Sequence, residues 1–114
     1  MGEFVLNASM KKKLFELYNE VNKDVYGFGT NEAKIFFVDN MIIFHVQHNR
    51  VPCLVALERD YPTIKEITDA AIMKVFKERL SQRLEEALHI RSKAVLRDYN
   101  ADNLIASTIV ILDR

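Results

Sequence analysis

One hairpin constrains the fold of this chain more than any other stretch. Two runs rich in Ile, Val and Phe, residues 34–38 and 41–46, are separated by Asp39 and Asn40. Residues that tolerate positive φ between two β-prone runs predict a two-residue turn, and the turn fixes the register of both strands. In that register one face carries Lys34, Phe36, Val38, Met41, Ile43 and His45, and the other carries Ile35, Phe37, Ile42 and Phe44.

Both faces of this hairpin are therefore largely apolar. A hairpin with one face in water would alternate apolar and polar side chains along each strand. The sequence predicts that other parts of this chain, or a second protein, cover both sides of the sheet.

An amphipathic helix is expected before the hairpin. Ser9 is a suitable N-cap and Gly27 a suitable C-cap. Between them, apolar residues recur at spacings of three and four, which is typical of a helix with one buried face. These residues are Met10, Leu14, Leu17, Tyr18, Val21 and Val25.

A much longer helix is expected after Pro62. Thr63 and Glu66 match a capping box, and no Gly or Pro interrupts the chain up to about His89. About 26 helical residues measure about 39 Å, whereas a strand of six residues measures only about 20 Å.

We therefore expect this helix to overhang the sheet and to meet a second chain at its far end. That end is rich in leucine. Together with two residues of the hairpin, it forms the predicted dimer interface, which consists of Phe36, Ile43, Leu80, Leu84 and Leu88.

The remaining elements complete an α+β fold. Residues 54–61 fit either a short helix or a strand, and we favour the helix. Strands are expected at Ser92–Tyr99 and Leu104–Leu112. The order α-β-β-(α)-α-β-β predicts a mainly antiparallel four-stranded sheet packed by two main helices. We expect one domain over residues 10–114 and treat residues 1–9 as a flexible terminus or a vector-derived extension.

Charge and cysteine content narrow the classes of function. Sixteen basic and sixteen acidic side chains give a formal net charge of zero, which argues against a general nucleic-acid-binding protein. The single cysteine, Cys53, cannot form an internal disulfide, so we expect a cytoplasmic protein with this thiol at least half buried. No run approaches the roughly 20 apolar residues that span a bilayer.

No catalytic or metal-binding pattern stands out. His45 and His48 are three residues apart, so on one strand they point to opposite faces and do not share a metal ion. No serine lies in a nucleophile-elbow sequence, and Cys53 has no Cys or His partner at zinc-site spacing. We therefore expect no enzyme, metal or cofactor.

Two places offer donors for an anion. Gly27, Gly29 and Thr30 lie in the only glycine-rich stretch, where backbone N–H groups can converge on an anion. The alternative, which we favour, is a simple connection from helix to strand. Arg79 and Arg83 lie four apart on one helical face and either bind an anion or a partner's carboxylate, or are ordinary surface residues.

Two short motifs and the order of the elements are similar to those of a known family. The chain has a helix, Gly27-x-Gly29, an apolar strand, the turn and strand Asp39–Ile43, a long charged helix, and a last strand ending at residues 109–113. Over about residues 10–113 it resembles the bacterial MpsC-like family, named for a sodium-translocating, membrane-potential-generating system, as a divergent member. The resemblance implies a soluble accessory component near a membrane cation or inorganic-carbon transport system, and it carries over no catalytic residue.

The first functional hypothesis is a small cytoplasmic accessory or regulatory protein that acts by protein–protein contact as a homodimer. The alternative is a small-molecule or anion-binding module. The resemblance also implies a membrane-transport partner and at most a peripheral membrane contact, through Lys11, Lys12 and Lys13.

Overall fold

The computed structural model describes residues 7–113 and has an α+β fold. Its elements are α1 (Ala8–Tyr26), β1 (Ala33–Val38), β2 (Met41–Gln47), α2 (Pro52–Asp60), α3 (Pro62–Leu88), β3 (Ser92–Asn100) and β4 (Ile105–Leu112). The four strands form one antiparallel sheet in the order β1-β2-β4-β3. The predicted fold class and order of elements are confirmed.

The central hairpin has the predicted register. Val38 lies opposite Met41, and Phe36 lies opposite Ile43. Asp39 in the turn takes a φ of 53°, a left-handed conformation that aspartate tolerates better than most residues. Because β2 pairs next with β4, the two edges of the sheet are β1 and β3.

The core lies between one face of the sheet and a helix layer formed by α1 and α3. Tyr18 stacks on Phe44 with ring centroids 4.8 Å apart, and it meets Phe76 edge-on at 5.3 Å. All three rings are fully buried, and burial of one such side chain stabilises the fold by about 1.5–3 kcal/mol. The rest of the core is aliphatic: Leu14, Leu17, Val21, Ile35, Ile42, Val46, Leu80, Leu84, Ile90, Ala106, Val110 and Leu112.

Both main helices begin differently from the prediction. α1 begins at Ala8, and the side chain of Asn7, not Ser9, accepts a hydrogen bond of 2.9 Å from the N–H of Met10. α3 begins at Pro62 with no side-chain cap, so the predicted capping box is wrong. Proline at the first position of a helix already has a helical φ and has no N–H that needs a cap.

The expectation for residues 1–9 falls mostly outside the described residues. Of that range the structure describes residues 7–9, which are the cap and the first two residues of α1. The helix therefore starts before the expected boundary at residue 10.

The ambiguous segment after the hairpin is helical, as favoured, and forms α2. This helix packs against α3 and fully buries only Leu54. Cys53 is exposed on it, so the expectation of a half-buried thiol is wrong. The reason is that only one side of the short helix meets the rest of the chain.

The exposed part of the long helix is at the opposite end from the prediction. Leu80 and Leu84 are fully buried in the chain's own core, and Leu88 packs against that core. Ile64 and Ile67, in the first turns, are more than half exposed. The expected interface role is therefore wrong for Leu80 and Leu84, because a side chain without exposed surface has no contact to offer a second chain.

Candidate functional site

Within residues 7–113, no helix packs against one face of the sheet, here called the open face. Because the strands are in register, its side chains form rows that run across the four strands in the order β1, β2, β4, β3. The first row is Val38, Met41, Ile111 and Ala94; the second is Phe36, Ile43, Ile109 and Leu96; the third is Lys34, His45, Ser107 and Asp98.

Two of these rows are wholly apolar and reach solvent. Phe36 and Leu96, at the two ends of the second row, are each about half exposed. Val38 in the first row is 44% exposed. A contiguous apolar patch on a small protein marks an interaction surface, whereas single exposed apolar residues are ordinary.

The third row is polar and carries opposite charges at its two ends. Its central pair is hydrogen-bonded, with His45 Nδ1 2.8 Å from Ser107 Oγ. Lys34 lies on edge strand β1 and Asp98 on edge strand β3, and both are exposed. The open face therefore has a polar border with a positive corner and a negative corner.

The covered face contains a buried arginine that the sequence analysis did not single out. Arg97 on β3 is only 8% exposed. Its Nη1 donates hydrogen bonds to Tyr18 Oη and, at 2.9 Å, to Thr108 Oγ1. Its Cζ lies 4.0 Å from the centroid of the Phe76 ring, so the guanidinium also gains cation–π attraction from that ring.

This guanidinium has no acidic partner in the described part of the chain. None of the ion pairs within residues 7–113 involves Arg97. Its Nε and Nη2 are buried and have no hydrogen-bond partner among these residues. A buried charge is normally paired, because its desolvation otherwise costs several kcal/mol.

A cavity of about 180 Å³ lies at the junction of α2, α3 and the sheet, and Arg97 is not among the residues that line it. We call it the aromatic cavity, because Tyr26, His48 and Tyr99 form part of its wall. The His48 ring lies 4.6 Å from the Tyr26 ring and 4.8 Å from the Tyr99 ring, both edge-on. Arg97 Cζ lies 5.5 Å from the centroid of the Tyr26 ring, immediately behind the wall.

Two polar atoms of this wall are buried without a partner among residues 7–113. They are His48 Nδ1 and Tyr99 Oη. His48 is only 2% exposed although it lies in the loop after β2, as predicted. Its backbone N–H donates to the carbonyl of Leu104 at 2.8 Å, which fixes the loop against the turn between β3 and β4.

Burial and the charge of Arg97 alter the proton affinities of this wall. Desolvation, with a smaller contribution from the nearby guanidinium, lowers the pKa of His48 from 6.5 to about 4. The imidazole is therefore neutral near pH 7. Burial raises the pKa of Tyr26 and of Tyr99, although Arg97 acts in the opposite direction on both.

The other charges at the cavity compensate one another. Arg50 lies 3.6 Å from Glu58, and Lys65 lies 2.7 Å from Asp69. A hydrogen bond to Asp69 raises the pKa of Lys65. Arg50 also lies 3.6 Å from Asp102, so the charged groups of the cavity wall are all paired.

Two backbone donors of the glycine-rich stretch have partners within the chain. The Gly27 N–H donates to the carbonyl of Lys23 at 2.9 Å, and the Thr30 N–H donates to Asn19 Oδ1 at 2.7 Å. A Cβ at Gly29 would come within 2.5 Å of Asn19 Oδ1, so a larger residue there would require the Asn19 side chain to shift. The stretch connects α1 to β1, and the anion-binding alternative stays a prediction.

The two arginines predicted to share a helical face have separate surroundings. Arg83 lies 3.1 Å from Glu20 on α1 and 3.4 Å from Glu86. Arg79 is exposed. Arg83 thus links the two main helices, and the structure does not bring this pair together with the glycine-rich stretch into one site.

Two further properties concern the described residues alone. Within residues 7–113, no three His, Cys, Asp or Glu side chains are placed so that they could hold a metal ion together. None of the helices in that range combines the length and the apolar character needed to cross a membrane.

Sequence reasoning missed Arg97, Tyr26 and Tyr99 as site residues. β3 contains three consecutive apolar residues, 94–96, so the strand pattern fits either face inward. Only pairing with β4, which places Arg97 opposite Thr108, decides that this charged residue points into the core. The available signal was the alternation along the strand, which puts Val95, Arg97 and Tyr99 on the same face.

Comparisons with family models, with curated proteins and with solved structures find no match for this chain. The resemblance to the MpsC-like family therefore stays a prediction from the motifs of the sequence.

Proposed function

We propose that this chain is a small accessory protein that acts by protein–protein contact and forms a homodimer through its open face. The observation that carries the proposal is the pair of apolar rows that crosses all four strands, in which Phe36, Val38 and Leu96 on the edge strands are about half exposed. In a two-fold symmetric dimer the same patch of each copy covers that of the other. Such a dimer takes out of water the side chains that the helices leave uncovered.

The size of the open face suits a reversible dimer. Four strands about 4.8 Å apart and about 23 Å long present about 450 Å² of planar area. Two copies then bury about 900 Å² in total, plus the contribution of protruding side chains, which is near the lower limit for specific interfaces. We expect a dissociation constant in the micromolar range.

The charges at the two edges favour one symmetry for this dimer. A two-fold axis parallel to the strands, between β2 and β4, places β1 of one copy over β3 of the other. Lys34 then faces Asp98 of the partner subunit, and the same pair forms again at the opposite edge. A two-fold axis perpendicular to the strands would place each edge strand over the same strand of the partner subunit. Neither of the two Lys34–Asp98 pairs would then form. Charge complementarity therefore favours the first arrangement.

Sedimentation velocity between about 1 and 200 µM protein tests the dimer, because this range brackets the expected constant. A matched pair of variants locates the interface. Val38 on the open face and Val55 on α2 are similarly exposed, at 44% and 42%. We expect Val38→Lys to be monomeric throughout and Val55→Lys to dimerise like the wild type. A wild-type monomer at 200 µM, or equal effects of the two variants, would refute the proposal.

A charge swap tests the symmetry. Lys34→Asp and Asp98→Lys each bring like charges together at both edges, so we expect each variant to weaken dimerisation by about 3–10-fold at low salt. The double variant restores opposite charges and should return to within about twofold of the wild type. Additive weakening in the double variant would exclude the axis parallel to the strands.

The cellular part of the proposal is supported by the MpsC-like resemblance. We place the protein in the cytoplasm, as an accessory of a membrane cation or inorganic-carbon transport system. Its contact with the bilayer is at most peripheral, through Lys11, Lys12 and Lys13, which are exposed on α1. Binding to anionic vesicles should appear at low salt and disappear at high salt. Absence of co-sedimentation even at low salt would remove the direct lipid contact.

A further inference from the structure

Edge strand β1 leaves one side of its backbone without a neighbouring strand. At the start of its antiparallel pairing with β2, the Gln47 N–H donates to the Glu32 carbonyl at 3.2 Å. Backbone groups of successive residues point to opposite sides of a strand, so those of Ala33, Ile35 and Phe37 point away from β2. Among residues 7–113, β1 pairs with β2 alone. A further strand can therefore form hydrogen bonds with the outer side of β1.

The other edge of the sheet, β3, is less suited to such pairing. Its register with β4 is interrupted between Ser92 and Ala94, where Lys93 is the extra residue. Arg97 on the same strand points into the core. Bulges and inward-pointing charges keep edge strands from pairing with other chains. Because β1 pairs with β2 in an unbroken register, it is the edge that can accept a strand.

A basic groove runs along the outer side of β1. It is lined by Lys11, Lys12 and Phe15 of α1 and by residues 33–36 of β1. Its wall contains three lysines, the third being Lys34, and all three are exposed. None of the ion pairs within residues 7–113 involves them. The charge along this edge is therefore positive and uncompensated in the described part of the chain.

The edge has a basic side and an apolar side. Lys11 Nζ lies 5.8 Å from the centroid of the Phe37 ring, and Phe37 packs against the core on the covered face. The lysines of α1 therefore lie on the covered side of the edge. On the other side, Phe36 and Val38 begin the two apolar rows of the open face. An added strand meets lysine on the side of α1 and apolar side chains on the open face.

The same charges disfavour a second copy of this chain as the added strand. If β1 of one copy paired with β1 of another, the lysines of both grooves would come together and repel each other. Lysine on an edge strand is a known protection against self-pairing. A strand that presents carboxylates to the groove turns this repulsion into attraction.

We propose that β1 accepts an extended acidic segment of a partner protein as a fifth strand of the sheet. Because side chains alternate along a strand, the matching segment has acidic residues at every second position, facing Lys11 and Lys12. Apolar residues between them extend the rows that begin at Phe36 and Val38. Backbone hydrogen bonds contribute affinity and the alternating side chains contribute specificity. The inference rests on the proposed function, action by protein–protein contact, and names the class of partner.

The test titrates the full chain with a blocked seven-residue peptide in which glutamate and valine alternate, while amide resonances are recorded by NMR. Seven extended residues measure about 23 Å, which covers β1. We expect a dissociation constant of about 100 µM at low salt. The same titration of Leu96→Lys, which the dimer proposal makes monomeric, should give the same constant. Failure of the dimer and failure of strand addition are thereby distinguished.

Two further peptides separate charge from alternation. A peptide in which lysine and valine alternate should bind at least about tenfold more weakly, because the groove repels it. A peptide with all the glutamates before the valines keeps the charge and loses the alternation, and it should bind at least about threefold more weakly. Equal affinity of the glutamate–valine and lysine–valine peptides would contradict the proposal.

Hydrogen exchange locates the backbone contacts. At about 1 mM peptide, tenfold above the expected constant, exchange of the Ile35 and Phe37 amides should slow by up to about tenfold. The Phe36 amide points toward β2 and should change little. Unchanged exchange at Ile35 and Phe37 in the saturated complex would show that the peptide does not pair with β1. Protection of these amides without peptide, rising with protein concentration, would identify a second copy as the occupant and refute the proposal.

Two lysine variants test the groove. Lys12→Glu changes its wall, whereas Lys13→Glu changes the next residue of α1, which is also exposed and lies outside the wall. At low salt we expect Lys12→Glu to weaken peptide binding about fivefold and Lys13→Glu by less than about twofold. Equal weakening would indicate a general attraction for anions, such as that of an anionic bilayer, and would exclude the strand site.

Discussion

The two faces of the sheet are built from similar residues and meet different surroundings. On the covered face, Ile42 and Phe44 are fully buried under α1 and α3. On the open face, Ile43 lies between Phe36 and Ile109, and no helix in the described part of the chain packs over it. The apolar character of a strand residue thus indicates that it will be covered, and the arrangement of the helices decides whether its own chain covers it.

The two faces also differ in the hydrogen bonding of their polar side chains. On the open face, His45 and Ser107 are hydrogen-bonded to each other at the border. On the covered face, Arg97 and His48 are buried with part of their hydrogen-bonding capacity unused. A solvated border needs no further partner, whereas a buried polar group without one costs free energy of folding. The two sides of the sheet therefore meet the hydrogen-bonding needs of their polar groups to different degrees.

The largest difference between the two faces should appear in the free energy of unfolding when the neighbouring residues Ile42 and Ile43 are each replaced by alanine. Ile42→Ala removes a fully buried side chain and leaves a cavity, so we expect a loss of about 2–5 kcal/mol in the free energy of unfolding. Ile43→Ala, one residue along on the open face, should cost about 1 kcal/mol or less at protein concentrations where the chain is monomeric. Urea unfolding monitored by circular dichroism measures both. Equal losses at low concentration would mean that the open face is covered within the monomer.

A change of pH should alter the free energy of unfolding through His48, which lies on the covered side of the sheet. Its pKa is about 4 in the folded protein, against 6.5 as the ordinary value. The unfolded chain therefore takes up a proton below pH 6.5 that the folded chain does not. The free energy of unfolding should fall by up to about 3 kcal/mol as the pH decreases from 6.5 to 4, and this contribution should be fully present above pH 6.5.

His48→Gln is the control for this prediction, because glutamine does not titrate. Carboxyl groups also titrate in this range, so the informative quantity is the difference in slope between wild type and variant. Parallel curves of unfolding free energy against pH would show that His48 does not have the lowered pKa.

The smallest effect on monomer stability should come from a charge on the open face. Leu96 is about half exposed, so Leu96→Lys should change the free energy of unfolding of the monomer by no more than about 0.5 kcal/mol. The same substitution should abolish dimerisation, because it places a charge at the end of an apolar row of the interface. Unfolding at about 1 µM and sedimentation at about 200 µM, on either side of the expected constant, separate the two effects. A stability loss of several kcal/mol would show that Leu96 supports the monomer.

Much of the fold was predictable because its signals are local. The turn at Asp39–Asn40 fixed the hairpin register, and the spacing of apolar residues located α1 and most of α3. The start of α3 was missed because proline made a side-chain cap unnecessary. The position of its exposed end was missed because a helical pattern does not state which stretch the sheet covers.

The candidate sites were less predictable because they depend on contacts between distant segments. Phe36 and Ile43 were predicted at an interface and lie on the open face. The aromatic cavity combines Tyr26 at the end of α1, His48 after β2 and Tyr99 on β3. These positions share no spacing or motif in the sequence, so no local pattern could bring them together.

The sequence by itself determined the elements, the hairpin register and the apolar character of both sides of the sheet, because these depend on neighbours along the chain. The tertiary structure decided that α1 and α3 lie on one side and that Arg97 turns inward opposite Thr108. Those outcomes depend on strand order and on long-range packing, since inserting β4 between β2 and β3 sets the face that each residue of β3 presents.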